Sequence, residues 1–216
     1  MSPPSLVIYG ASGHGREIMS WVDAARAAGW ECDVHGFVDD DPATHGTRRV
    51  GHEVQGGFEW LERTAAARDV GVVLGLGAPE TKRRLVERLR PLGVSFPTVV
   101  HPAAVMTPHV TIGEGVTVAA GCVISVDVVL GAFTSFGHAC TIAHDAEIGA
   151  YATVLPGANV SGNVSVGEGA LLGADATVIQ GVTIGRNTIV GAGATVVRDL
   201  PADCTAVGTP AVPLRR

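Results

Sequence analysis

Among the residues of this 216-residue chain that can move protons, one pair stands out: His144 followed by Asp145. An imidazole titrates near neutrality, and an adjacent carboxylate can orient it and raise its basicity. Such a pair suits a general base that takes a proton from a nucleophile, as acyl transfer to an amine requires. The other histidines are His14, His35, His45, His52, His101, His109 and His138. Of all eight, only His138 and His144 interrupt the repetitive half described below, where a histidine can also be a plain surface residue at a corner. A second candidate is the turn Gly10-Ala-Ser-Gly-His-Gly15, between an apolar strand and a helix. Glycine-rich turns let backbone N–H groups approach phosphate, and a helix N-terminus adds favourable positive potential. A third is the run Asp39-Asp40-Asp41 ending a second strand, where an acid can accept hydrogen bonds from ribose or sugar hydroxyls. Both features also read as ordinary turns, since G-A-S-G-H-G departs from the G-x-G-x-x-G pattern.

The elements that must hold these residues follow from periodicity. From Val110, every sixth residue to Ala194 is small or β-branched; from Ile112, every sixth residue to Val196 is apolar. A period of six fits a very short strand with two inward side chains, followed by a glycine-permitted bend. One unit cannot bury its own apolar face, so units must coil and stack as a solenoid. Three faces close the simplest coil at 18 residues per turn, which stacks Cys122 on Cys140 as core residues rather than as a disulfide. The same step of 18 places Gly162 beside His144.

Residues 1–98 lack this rhythm and are expected to form a separate α/β domain, with 99–216 as the β-helix and its tail. Leu6–Tyr9, Val34–Val38 and Val70–Leu74 read as strands. A helix follows the glycine turn with Ile18, Trp21, Val22, Ala25 and Ala28 on one face and Gly29 as its stop. A further helix bears Leu85, Val86 and Leu89. Strand, glycine turn, helix, strand and acid make half of a Rossmann-like unit.

Composition excludes several classes. The chain carries 15 Lys and Arg against 21 Asp and Glu, and only Arg186 and Arg198 are basic between residues 110 and 199. Phosphate neutralisation needs clustered cations, so no nucleic-acid partner is expected. The stretch from Gly115 to Ala143 has one charge, Asp127, but its recurring Gly, Thr, Ser and His read as buried strands rather than a membrane span. The start MSPPSLVIYG lacks the pattern of a signal peptide, and the four cysteines show no C-x-x-C spacing. Reduced thiols and a cytoplasmic location are the expectation.

The pattern [Leu/Ile/Val]-Gly-x-x-[small]-x resembles the hexapeptide-repeat acyltransferases. With "IYGASGHG", "FVDD" and the "HPAA" linker at His101–Ala104, nearly the whole chain is similar to the PglD/NeuD-like sugar acetyltransferases. The resemblance implies a left-handed parallel β-helix and a homotrimer with acetyl-CoA in the groove between neighbouring helices. It further implies N-acetylation of a nucleotide-linked 4-amino-4,6-dideoxy sugar in glycan synthesis. Carried over by position, "TIAHDAEIG" makes His144 the base supported by Asp145. Ser12, Gly13, His14, Asp39, Asp40 and Gly77 fall at the nucleotide-sugar site, and Thr153, Gly162, Ala174 and Ala192 along acetyl-CoA. Gly162 is suited to offer a backbone N–H to the thioester or its oxyanion. The tail "VGTPAVPLRR" resembles the family's ending over CoA. Two positions depart: a second histidine that touches CoA in a relative is Thr153 here, and an asparagine seven residues before the base is Gly137, beside His138.

Rival readings remain at this level. O-acetylation of a sialic-acid-type sugar needs the same base. A zinc hydratase of the γ-carbonic anhydrase type shares the helix, but it needs three histidine ligands. His138 and His144 lie six apart and His109 lies 29 before His138, unlike that family's spacing, so no metal is expected. A scaffold without activity leaves the His144–Asp145 pair unexplained, and an NAD(P) oxidoreductase leaves no catalytic domain.

Overall fold

A computed structural model describes residues 5–214. Packing divides them into two compact units, one reaching to Gly77 and resuming over Thr81–Pro102, the other comprising Ala78–Glu80 and the chain from Ala103.

The first unit is a sheet flanked by helices. Its elements are β1 (Ser5–Tyr9), α1 (Gly13–Ala27), β2 (Asp33–Val38), β3 (Arg48–Arg49), β4 (His52–Gly56), α2 (Phe58–Ala67), β5 (Val70–Leu74) and α3 (Pro79–Leu89). The sheet order is β3-β4-β2-β1-β5, with β4, β2, β1 and β5 parallel and β3 antiparallel to β4. Val7, Ile8, Phe37, Val38, Val54 and Val72 are wholly buried in it. Because β2 and β5 lie on opposite sides of β1, the chain reverses direction of travel there, leaving a crevice at the strands' carboxyl ends. Three glycines make that end tight. A Cβ on Gly15 would overlap the Gly10 carbonyl oxygen, and one on Gly75 would lie 2.7 Å from the same oxygen.

Helix α1 buries Ile18, Met19, Trp21, Val22 and Ala25, but Ala28 is exposed and caps the helix rather than joining its buried face. Gly29, at φ 106°, ends it: its N–H bonds to Arg26 and that of Trp30 to Ala25, the paired C-terminal bonds that a left-handed glycine allows. Strand β4 and helix α2 have no counterpart in the sequence reading. Val54 is the one fully buried apolar side chain of β4 and Leu61 that of α2, too few for a periodic signal.

The second unit is a parallel β-helix of two-residue strands. Each coil contributes one strand to each of three sheets, as Thr141–Ile142, Glu147–Ile148 and Thr153–Val154 do. The 18-residue register holds throughout the body: Val123 pairs with Thr141, Thr141 with Asn159, and Asn159 with Thr177. Inward positions such as Val116, Ile124, Phe136, Ala152, Leu172 and Val196 are no more than 1% exposed. Cys122 and Cys140 are buried in this core as free thiols. The column frays at its start, where Ile112 is 37% exposed on the first strand of its sheet. At the other end the register shortens to 16, Ile189 pairing with Thr205, and Thr205–Val207 then pairs antiparallel with Val212–Pro213.

Candidate functional site

His144 lies at the corner between the strands Thr141–Ile142 and Glu147–Ile148, in a column with Val126, Gly162 and Gln180. The next position of four successive coils adopts the left-handed conformation: φ is 56° at Asp127, 57° at Asp145, 57° at Asn163 and 71° at Gly181. Asp and Asn tolerate this region better than other non-glycine residues. The turn therefore favours an Asp at 145 on conformational grounds, and it brings the carboxylate back to the preceding ring. His144 Nδ1 lies 2.7 Å from Asp145 Oδ2. A carboxylate accepts only, so in the neutral imidazole Nδ1 carries the proton and Nε2 the lone pair. Both side chains are more than half exposed.

What holds the imidazole from below is Gly162. A Cβ there would stand 2.6 Å from His144 Cε1 and 2.7 Å from Nε2, so the ring lies on the missing side chain. The step of 18 predicts Gly162 beside His144; that the ring itself lies over Gly162 is visible only in the structure. Among the described residues the Gly162 N–H donates to no carbonyl of the chain, while its carbonyl accepts from Gly181.

The other positions assigned to acetyl-CoA lie elsewhere on the coil. Ala174 and Ala192 stack on the corner that also carries His138 and Pro156, and Ala192 is exposed. Thr153 lies on a different sheet and is buried, 2% exposed. Gly137 has a local cause: a Cβ would lie 2.6 Å from the nitrogen and Cδ of Pro156 in the next coil. An asparagine at 137 is thus barred by Pro156. His138 is exposed and sits at the opposite end of strand Thr141–Ile142 from His144.

In the first unit, the acids ending β2 hold the glycine turn together. Asp39 Oδ2 accepts from the Ala11 N–H at 2.7 Å and its Oδ1 from the Asp41 N–H at 3.0 Å. Asp40 Oδ1 accepts from the Tyr9 hydroxyl at 2.7 Å, and Oδ2 from Arg88 at 3.0 Å. Burial, with the Asp40 hydrogen bond, pushes the Tyr9 hydroxyl well above its ordinary pKa, so it remains a donor. Two cavities flank Asp39. One, of about 310 Å³, opens at the ends of β1 and β5, with Tyr9, Asp40, Leu76, Leu85 and Arg88 in its wall. The other, of about 500 Å³, lies on the β2 side with Ser12, Arg16, Asp41, Thr44 and Arg49.

Ser12 caps α1 without a side-chain hydrogen bond to it. Gly13, His14 and Gly77 line neither cavity. The His14 ring packs edge-on against Trp21 with Nδ1 3.4 Å from Glu17. Gly13 and Gly77 have no atom within 4 Å of a would-be Cβ and no left-handed φ, so nothing in the chain itself demands glycine at either. The sequence presents Tyr9 only as the end of a strand and does not single out Arg16, Arg49 or Arg88, because these side chains converge from distant positions without a motif. Among the described residues, no group of three or more His, Cys, Asp or Glu is placed to hold a metal ion, and no helix is long and apolar enough to cross a membrane.

Residues 5–89 match the PglD N-terminal domain, 163–198 the bacterial transferase hexapeptide (six repeats), and 107–125 the hexapeptide repeat of succinyl-transferase. No curated protein sequence matches significantly. Solved structures do. A histidine-to-asparagine variant of perosamine N-acetyltransferase from Caulobacter crescentus, in complex with CoA and GDP-perosamine, is 36% identical with a TM-score of 0.91 over 98% of this chain and 97% of that one. The acetyltransferase domain of PglB from Neisseria gonorrhoeae FA1090 is 31% identical, TM-score 0.88, over 97% and 99%. WeeI from Acinetobacter baumannii AYE is 29% identical, TM-score 0.85, over 97% and 99%.

Proposed function

The chain belongs to the sugar acetyltransferases that join a PglD N-terminal domain to a left-handed β-helix of hexapeptide repeats, and from this we propose how its residues acetylate a nucleotide-linked amino sugar. Acetyl-CoA is the donor, and the acceptor is the C4 amine of a 4-amino-4,6-dideoxy sugar. The Caulobacter relative holds both CoA and GDP-perosamine, which supports this pairing of substrates. One observation within this chain carries the chemistry: an imidazole tied to Asp145 at 2.7 Å and seated on Gly162.

Nε2 of His144 takes a proton as the amine nitrogen bonds to the thioester carbonyl carbon. Asp145, at the other ring nitrogen, stabilises the imidazolium that forms. The Gly162 N–H is the donor for the developing oxyanion. Collapse breaks the carbon–sulfur bond, and the proton on His144 passes to the departing thiolate, leaving amide and CoA thiol. Thr153, Ala174 and Ala192 are proposed along the CoA path, and Ser12, Gly13, His14, Asp39, Asp40 and Gly77 around the nucleotide sugar.

Assembly is proposed as a homotrimer. Val105, Val123 and Val129 point outward from two faces of the β-helix and are 62%, 46% and 42% exposed, apolar surface suited to neighbouring copies. A cytoplasmic place in glycan synthesis belongs to the same proposal.

The test follows CoA thiol released from acetyl-CoA. It offers nucleotide-linked 4-amino-4,6-dideoxy sugars beside free and nucleotide-linked sialic acids. Release with an amino sugar and none with sialic acids is expected. Release with sialic acids alone would make the enzyme an O-acetyltransferase.

A further inference from the structure

The cavity at the carboxyl ends of β1 and β5 contains a linked set of side chains that the acetyl-transfer chemistry does not use. The guanidinium carbon of Arg88, from α3, lies 3.8 Å from the centroid of the Phe58 ring on α2. The same guanidinium donates to Asp40, which also accepts from Tyr9. Tyr9, Asp40 and Arg88 all line the cavity, and Leu76 and Leu85 complete an apolar wall. A guanidinium backed by an aromatic ring is a flat, cationic plate, and such plates stack on nucleobases.

Asp40 is equally constrained. Its two oxygens each hold one donor, and each keeps room for a second. A carboxylate fixed in this way is matched by two adjacent N–H donors. Guanine alone among the common bases offers such a pair, N1–H and the 2-amino group, on one edge. Uracil and thymine offer one N–H between two carbonyl oxygens that a carboxylate repels. Adenine and cytosine set an acceptor beside their amino group.

We propose that this cavity holds the base of the nucleotide and selects guanine, Asp40 reading its N1–H and 2-amino edge and Arg88 stacking on its face. The inference rests on the reading of this unit as the nucleotide-sugar site. A good bidentate contact discriminates by roughly 5- to 150-fold. Asp40 is about half exposed (54%), which favours the lower part of that range.

The experiment is calorimetric titration of the full chain with GDP, IDP, UDP and dTDP. GDP should bind tightest, and IDP, which lacks only the 2-amino group, roughly tenfold more weakly. Asp40→Asn should bring GDP down to the level of IDP while changing UDP and dTDP little. Arg88→Lys keeps the charge but loses the plate, and should weaken all four by a similar factor with their order kept. Equal affinity of the unaltered protein for GDP and IDP would overturn the proposal. So would an Asp40→Asn variant that weakens all four alike, since the carboxylate would then be holding ribose. Acetyl transfer accompanied by either result would leave the parent reading standing. Absence of binding by every nucleotide would sink both.

Discussion

The two units of this chain place chemistry in opposite ways. In the β-helix every coil repeats the last at 18 residues, so a functional residue is visible as an exception within its column: His144 stands where other coils carry Val126, Gly162 and Gln180. In the N-terminal unit there is no column to depart from. Tyr9, Asp40, Phe58 and Arg88 meet only because the sheet brings the ends of β1 and β2 against α2 and α3. A repeat thus displays its site along the sequence, whereas a mixed sheet assembles its site in three dimensions. On the proposed mechanism the functional division is parallel: the β-helix corner would move the proton, and the N-terminal unit would choose the molecule that presents the amine.

Substitutions can break or sharpen this division. The largest effect is expected at His144→Ala, which removes the proposed base and should lower kcat by about 10²–10⁴, with thiol release as the readout. Next is Gly162→Ala. The added methyl would displace the imidazole that lies 2.6 Å from it, and misplacement of about 1 Å can cost about 10² in rate. Binding of nucleotides, measured on the same variant, should not change.

In the N-terminal unit the contrast is between two glycines of one turn. Gly15→Ala overlaps the Gly10 carbonyl and should cost about 1–3 kcal/mol of stability in chemical denaturation, as overpacking does. Gly13→Ala meets nothing within 4 Å. It should leave stability within about 0.5 kcal/mol, as an unstrained surface change does, and any loss should fall on nucleotide affinity.

A further contrast separates the units by pH. Lys82 is buried in the N-terminal unit, and desolvation lowers its pKa to about 7. The unfolded chain holds that proton up to about pH 10, so between about 7 and 10 it binds more protons than the folded chain. Stability therefore gains from Lys82 as pH rises through that window. Lys82→Met should lose this slope in denaturation at pH 7 and 9.5. An unchanged slope would place its origin elsewhere.

The β-helix was readable because its constraint is local and repeated. The columns from Val110 and Ile112, the 18-residue register and the buried thiols of Cys122 and Cys140 all follow from one period. The period fails where the stack ends, at exposed Ile112 and in the 16-residue last coil. The pairing of His144 with Asp145 was readable for the same reason, since adjacent residues at a corner must meet. Two features escaped because they depend on shape rather than on order. The imidazole rests on the absent side chain of Gly162, and Pro156 forbids a side chain at Gly137. In the N-terminal unit β4 and α2 carry too few buried apolar residues to announce themselves, and the acids Asp39 and Asp40 acquire partners only when the sheet closes.

The central claim is that proton transfer and nucleotide selection are housed separately. It is tested most directly by measuring kcat and GDP affinity together on His144→Ala and Asp40→Asn. The account predicts that His144→Ala loses kcat by about 10²–10⁴ with GDP affinity unchanged. For Asp40→Asn it predicts weaker GDP binding with kcat at saturation largely kept. Unchanged turnover in His144→Ala, or loss of both quantities together in either variant, would contradict it.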